Sequence, residues 1–190
     1  MSYSFFALLS RMKHILRWGL MRNSVSENLS EHTLDVAYIT HVLTVLYNQN
    51  HPDSPLDSGK AVLYALYHDC SEILTGDMPT PVKYRDLRLK AAYKAVEQEA
   101  QEQLLSRLPT ALLPHFSPCF SPEGSYKVLV KAADKLSALI KCTEERKMGN
   151  SEFSTAYTST LLSLQEMNLP EVDIFLESFL PAYSLTLDEL

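Results

Sequence analysis

The sequence predicts an all-α fold, a helical bundle, on three observations. Glycine is sparse, 5 in 190 residues, which argues against turn-rich β architecture. Several long stretches repeat apolar residues at helical spacing, and none alternates steadily as a half-buried strand does. The breaks between them are short and punctuated by Pro, Gly or Asn. A length of 190 residues fits one domain over 1–190, with enough chain to bury a core.

A first helix is expected over Tyr3 to His14, followed by a loop holding Arg17, Trp18 and Met21-Arg22-Asn23. The next helix begins near Asn28, which can cap it, with Glu31 three residues on completing a capping box. Counting from His32, its stripe of Val36, Ile39, Leu43 and Leu46 is spaced four, three, four and three, so His32 lies on the buried face. A third helix is expected from Pro55 to Leu74, nearly apolar all round at Ala61 to Leu66 and therefore central, with Gly76 at its end. A stiff loop from Thr75 to Pro81 leads to a charged amphipathic helix, Asp86 to Leu108. After the Pro-punctuated stretch 109–122 come a long helix from Ser125 to Met148, ended by Gly149, and two shorter ones near Glu152 to Met167 and Pro170 to Leu180.

Composition narrows the function classes. A net charge of −6 repels a phosphate backbone, which argues against a DNA- or RNA-polymer partner and leaves room for a small phosphate ester at a locally basic site. Cys70, Cys119 and Cys142 form no spaced pair, so neither a disulfide framework nor a thiolate zinc site is expected, and the reading is a reducing cytoplasm. Arg11 and Lys13 follow the apolar run Phe5 to Leu9, the reverse of a secretion signal, and no apolar stretch is long enough to span a bilayer, so no membrane partner is expected.

Three costly polar placements carry the chemistry. His68-Asp69 sits inside Leu63-Tyr64-Ala65-Leu66-Tyr67-His68-Asp69-Cys70, where burial demands a partner: an ion pair, a hydrogen-bond network or a metal. His32 projects from a buried stripe, and Asp134 interrupts the apolar Val128 to Leu136, with small neighbours Ala133, Ser137 and Ala138 that allow close helix approach. Two imidazoles and two carboxylates from three helices suit a transition metal better than calcium. For an isolated His-Asp pair, a satisfied core pair is the competing reading.

The order His, His-Asp, Asp on successive helices resembles the HD-domain superfamily of metal-dependent phosphohydrolases. The closest resemblance is to the bacterial YfbR-type 5′-deoxynucleotidase family. It rests on Arg17-Trp18, Ser30-Glu31-His32, His68-Asp69-Cys70-Ser71-Glu72, Lys131-Ala132-Ala133-Asp134 and the more specific Thr75-Gly76-Asp77-Met78-Pro79-Thr80-Pro81-Val82-Lys83-Tyr84. The resemblance implies a single HD domain in which His32, His68, Asp69 and Asp134 ligate one divalent ion, Co²⁺, Mn²⁺ or another transition metal. It implies hydrolysis of deoxynucleoside 5′-monophosphates to deoxynucleosides and phosphate, by a homodimer. It sets Arg17, Trp18, His32, Asp69, Asp77, Met78, Pro79, Thr80 and Asp134 against the nucleotide, with Arg17 orienting the phosphate. Di-iron members of the superfamily need further histidines between the His-Asp and the last Asp, and here only His115 intervenes. Cys70 and Met78 stand where a small residue and Leu are expected in the family; neither replaces a ligand.

The candidate catalytic residues are Glu72, Asp77 and Arg17. Glu72, one turn beyond the His-Asp pair, can activate water, protonate the leaving oxygen, orient a ligand histidine or sit solvated. Asp77 can handle the 3′ end of the sugar or the attacking water, or simply form a turn. Arg11, Lys13, Arg17 and Arg22 put +4 in a segment with no acid before Glu27: a patch for phosphate, with Trp18 against sugar or base, or a solvated basic surface over a core tryptophan. Glu97, Glu99 and Glu102 read as a solvated face, and the mixed charges of Lys141 to Lys147 as a surface helix. Rival functions are an HD hydrolase of a triphosphate, a cyclic nucleotide or guanosine tetraphosphate, and a metal-stabilised binding module without turnover.

Overall fold

The computed structural model describes residues 2–83 and 86–190; for Thr80, Pro81 and Leu87 it describes the backbone alone. The helices are α1 (Phe5–Leu9), α2 (Leu29–Asn50), α3 (Ser58–Tyr67), α4 (Glu72–Thr75), α5 (Thr80–Lys83), α6 (Leu87–Leu105), α7 (Leu113–Phe116), α8 (Gly124–Lys147), α9 (Ser154–Gln165) and α10 (Pro170–Ser178). No strand occurs among the described residues; one antiparallel bridge joins Leu16 to Asn28. The fold is all-α, as the sparse glycine and the helical periodicity require.

Two long helices, α2 and α8, pack against each other, with α3 on α2 and α9 on α8. Val36, Ile39 and Leu43 of α2 meet Leu129, Leu136 and Leu139 of α8 in one core. A second core gathers Phe5, Met12, Leu29, Cys70, Leu104 and Phe120. The chain from α3 to α4 joins the two: Tyr64 and Ala65 belong to the first core and Cys70 to the second. His68 and Asp69 therefore sit where the cores meet.

The start of α2 follows its sequence signature. Asn28 Oδ1 accepts from the Ser30 and Glu31 backbone N–H at 3.0 and 3.1 Å, and Glu31 Oε2 accepts from the Asn28 N–H at 2.9 Å. Asn28→Ala removes the acceptor for these donors and is expected to lower unfolding free energy by about 1 kcal/mol, read as a lower urea midpoint at unchanged m-value.

The expected helix over Pro55 to Leu74 is corrected: it stops at Tyr67 and resumes at Glu72. The His68 ring Nδ1 lies 2.6 Å from the Ala65 carbonyl, and the His68 backbone N–H also donates there at 3.4 Å. That carbonyl is the one an unbroken helix would offer to the Asp69 N–H, so the chain tightens into three-residue turns, Cys70 to Tyr67 and Glu72 to Asp69. Nor is α3 buried all round: Leu63 and Leu66 face solvent while Ala61, Tyr64 and Ala65 face the core. The first helix is likewise shorter than expected, with Ser10–His14 a 3-10 turn.

The mixed charges of Lys141 to Lys147 are also corrected in part. Glu144, Arg146 and Lys147 are exposed, but Lys141 and Glu145 are buried. The segment 15–28 arches over this end of α8 and drives the pair inward. The Glu145 carboxylate accepts from the backbone N–H of Ser24 at 2.8 Å and Val25 at 3.2 Å, from Asn150 Nδ2 at 2.7 Å and from Lys141 Nζ at 2.6 Å. Lys141 Nζ also donates to the Val25 carbonyl at 2.5 Å. Glu99 and Glu102 are exposed as expected, whereas Glu97 is half-buried and paired with Lys83 at 2.7 Å. No helix among the described residues is long and apolar enough to cross a membrane.

Candidate metal centre

Three elements bring four potential ligands together. His32 comes from the first turn of α2, His68 and Asp69 from the turn after α3, and Asp134 from the middle of α8. One ligand atom from each lies within 4.8 Å of the others. His32 Nε2 is 3.2 Å from Asp134 Oδ1 and 3.5 Å from Asp69 Oδ2, and His68 Nε2 is 3.0 Å from Asp69 Oδ2. Yet Nε2 of both histidines is buried without a hydrogen-bond partner. The ring nitrogens thus meet carboxylate oxygens at ion-pair distance without a well-directed hydrogen bond, and the four groups converge on a shared space.

The tautomers fit a cation. The Ala65 carbonyl can only accept, so the proton of His68 is on Nδ1 and the Nε2 lone pair faces Asp69. His32 Nδ1 is 3.0 Å from Ser137 Oγ and 3.5 Å from Glu27 Oε1, partners that likewise leave Nε2 toward the two aspartates. Two such nitrogens and two carboxylates are a donor set for one divalent ion.

Charge agrees with geometry. Burial opposes an ionised Asp69, yet His68 and His32 hold its carboxyl well below the usual range. Burial also opposes a charged His32, but the Asp134, Asp69 and Glu27 carboxylates hold its pKa well above the ordinary value. Arg17 faces the carboxylates of Asp134, Glu27, Asp69 and Asp77. A guanidinium and a protonated His32 against four carboxylates still leave an excess of negative charge, and a divalent cation would offset it and take the place of the His32 Nε2 proton.

The remaining sequence candidates surround this cluster. Arg17 Nη1 lies 3.6 Å from Asp69 Oδ2, with its side chain 12% exposed, so it is no solvated basic residue. Trp18 has a φ of 61°, a left-handed conformation that costs a bulky residue on the order of 1–3 kcal/mol and occurs mostly at functional sites. Its ring packs on Phe153 and its indole N–H donates to Glu27 Oε2 at 2.8 Å.

Glu72, in the first turn of α4, is buried and its Oε2 has no hydrogen-bond partner. Burial first, then the charges of Asp69 and Asp77, push its carboxyl up to about 9; a cation nearby lowers it. Asp77 is half-buried just past Gly76, whose φ of +74° ends α4. Burial raises the Asp77 carboxyl, and Arg17 partly offsets the rise. Met78 and Pro79 are half-buried in the same loop; the Thr80 side chain and all of Tyr84 lie outside the described residues.

Two neighbours of the cluster carry roles the sequence did not reveal. Glu27 stands in the polar run Ser24-Val25-Ser26-Glu27, where a solvated acid is ordinary. Ser137 reads as a small residue allowing helix approach, and its hydroxyl meets His32 as well.

Comparison with known proteins adds sequence relatives and shared folds. A model of the 5′-deoxynucleotidase YfbR-like family matches residues 4–183. A 5′-deoxynucleotidase of Yersinia pestis (strain Pestoides F) is 44% identical over 190 residues, covering 98% of this chain and 95% of that protein. One from Yersinia pseudotuberculosis (serotype O:3, strain YPIII) matches to the same extent. An HD-domain phosphohydrolase of Listeria innocua superposes with a TM-score of 0.82 at 24% identity, over 95% of this chain and 88% of that one. The cyanophage S-2L HD phosphohydrolase DatZ, solved with dA and one catalytic Zn²⁺, gives 0.67 at 17% identity, over 95% and 99%. At these identities the two structures speak to the fold alone.

Proposed function

The chain belongs to the 5′-deoxynucleotidase YfbR-like family, and from that premise we propose that it hydrolyses deoxynucleoside 5′-monophosphates to deoxynucleosides and phosphate with one divalent metal ion. The observation that carries this reading is the 3.6 Å approach of Arg17 to Asp69, which brings a phosphate-binding guanidinium to the His/Asp cluster. His32, His68, Asp69 and Asp134 would hold the ion, which when bound polarises the phosphoryl group and makes water a better nucleophile.

The chain's own residues divide the rest of the work. Water adds to phosphorus and gives up a proton, the bond from phosphorus to the 5′ oxygen breaks, and that oxygen takes a proton in its place. Glu72 is the residue for the proton transfer: its Oε2 is buried, unpartnered and close enough to the cluster for its carboxyl to feel Asp69. Arg17 orients the phosphate and stabilises the charge on its oxygens in transfer. Asp77 takes the 3′ end of the sugar or the attacking water. Trp18, Met78 and Pro79 line the sugar and base side, and His32, Asp69 and Asp134 meet the phosphate from the cluster.

The same reading makes 1–190 one HD domain that works as a cytoplasmic homodimer. The family match over 4–183 supports the single domain and the three free cysteines a reducing compartment, and sedimentation equilibrium tests the dimer.

The activity is tested by phosphate release from dAMP and AMP, using chelator-stripped protein with Co²⁺, Mn²⁺, Mg²⁺ or no metal added back. The expected result is metal-dependent release from dAMP and at least about tenfold less from AMP, a difference of about 1.4 kcal/mol between transition states. Equal release would remove the deoxyribose preference. No release with any metal would overturn the nucleotidase.

A further inference from the structure

Glu27 precedes the Asn28 cap of α2, and its carboxylate stands among three side chains of the site. Oε2 accepts the Trp18 indole N–H at 2.8 Å. Oε1 lies 3.2 Å from Arg17 Nε and 3.5 Å from His32 Nδ1. The Glu27 carbonyl also accepts the Arg17 backbone N–H at 3.0 Å, so Glu27 grips Arg17 through both chain and side chain. Its side chain is only 13% exposed. A carboxylate accepts and never donates. It therefore offers the indole an acceptor, the guanidinium a counter-charge, and His32 Nδ1 a reason to keep its proton and leave Nε2 facing Asp69 and Asp134.

We propose that Glu27 is a positioning residue of this site: one carboxylate aims Arg17, seats Trp18 and fixes the ring of His32. It acts through those three groups, as the outer partners of metal ligands do. The role explains how Trp18 is kept at a φ of 61°: its indole is tied to the acid beside α2 while its ring is packed on Phe153. It also explains why Arg17, whose Nη1 is only 3.6 Å from Asp69, does not collapse fully onto the cluster. Its Nε end is paired with a second carboxylate, that of Glu27, at 3.2 Å.

The test uses two variants and three readouts, and only the turnover readout rests on the nucleotidase reading. Glu27→Gln keeps the length and an oxygen that can accept from the indole, but removes the charge beside Arg17. Glu27→Ala removes both. Trp18 is the only tryptophan, so emission excited at the long-wavelength edge, where the ten tyrosines do not absorb, reports its seat alone. With Glu27→Gln, emission and the Co²⁺-induced rise in Tm are expected to match the wild type, while kcat for dAMP falls about 10- to 100-fold. KM is expected to change by less than about threefold, because the loss falls on the transition state. With Glu27→Ala, emission moves to the red and the Co²⁺-induced rise in Tm shrinks. A merely structural residue would lower Tm without separating kcat from emission in this way.

Wild-type kcat in Glu27→Gln would overturn the role. So would wild-type emission together with a full Co²⁺-induced Tm rise in Glu27→Ala. Should Glu27→Ala fail to fold, kcat and emission of Glu27→Gln decide. If the wild type releases no phosphate from dAMP with any metal, the nucleotidase reading fails, and emission with the Tm rise still decides the role of Glu27.

Discussion

Asp69→Asn is expected to lower metal-dependent phosphate release from dAMP by about 10³-fold or more, and to weaken the stabilisation that a bound metal gives. Asp69 Oδ2 is the atom shared by the whole cluster, 3.0 Å from His68 Nε2, 3.5 Å from His32 Nε2 and 3.6 Å from Arg17 Nη1. Asn keeps the shape and removes the charge. A metal ion is worth several kcal/mol to a phosphoryl-transfer transition state, and each 1.36 kcal/mol is about tenfold in rate, which gives the expected size.

The loss of metal binding is read in a thermal experiment. A ligand present at about 1,000 times its Kd stabilises by about 4 kcal/mol, and a chain of this length gains about 2–4 °C per kcal/mol. Saturating Co²⁺ should therefore raise the wild-type Tm by about 8–16 °C, and the Asp69→Asn Tm by less than half as much. A variant that keeps both the Tm increment and a tenth or more of the activity would show that Asp69 is no ligand.

What the sequence makes legible here is local or periodic. His32 falls on the buried face because its spacing to Val36 and Ile39 is helical, and Asn28 with Glu31 marks the start of α2 three residues apart. Asp134 is visible as the acid that breaks an apolar helix, and the structure does set it beside His32. The break after Tyr67 is not legible, since it turns on one imidazole nitrogen taking the Ala65 carbonyl at 2.6 Å. Nothing in the composition of Pro55 to Leu74 encodes that choice. The burial of Lys141 and Glu145 is equally hidden, because it is imposed by Ser24 and Val25, some 120 residues earlier in the chain. Glu27 fails to stand out for the same reason: its three partners meet only once the arch 15–28 has closed. Patterns within one helix turn survive as sequence signals; contacts made by a loop against a distant helix do not.

That arch carries the second large effect. Glu145→Ala is expected to destabilise the protein by about 3–5 kcal/mol, because it leaves Lys141 buried without its counter-ion and strips the Ser24 and Val25 N–H groups of their acceptor. The Tm should fall on the order of 10 °C. The double variant Lys141→Met/Glu145→Leu should recover part of the loss, since it removes both charges together, but not all, since the two N–H groups stay unpaired.

Acid titration gives an independent check. Burial opposes the Glu145 charge, but Lys141, the Ser24 N–H, Asn150 and the Val25 N–H hold its carboxyl well below the usual range. A folded pKa below the unfolded one contributes stability that is complete above about pH 4.3, the ordinary value for Glu. That contribution is lost as pH falls through the folded pKa. As pH falls from about 4.3 toward the folded pKa the wild type should therefore progressively lose stability that Glu145→Gln never had, and the two curves should draw together. If they run parallel, the clamp is not ionic. The clamp pins the tip of the arch, whereas the His/Asp cluster is set by α2, α8 and the turn after α3. Glu145→Ala, assayed well below its Tm, should then keep most of the Co²⁺-induced Tm rise while turnover of dAMP falls, because the arch that carries Arg17 and Glu27 is loosened and the cluster is not.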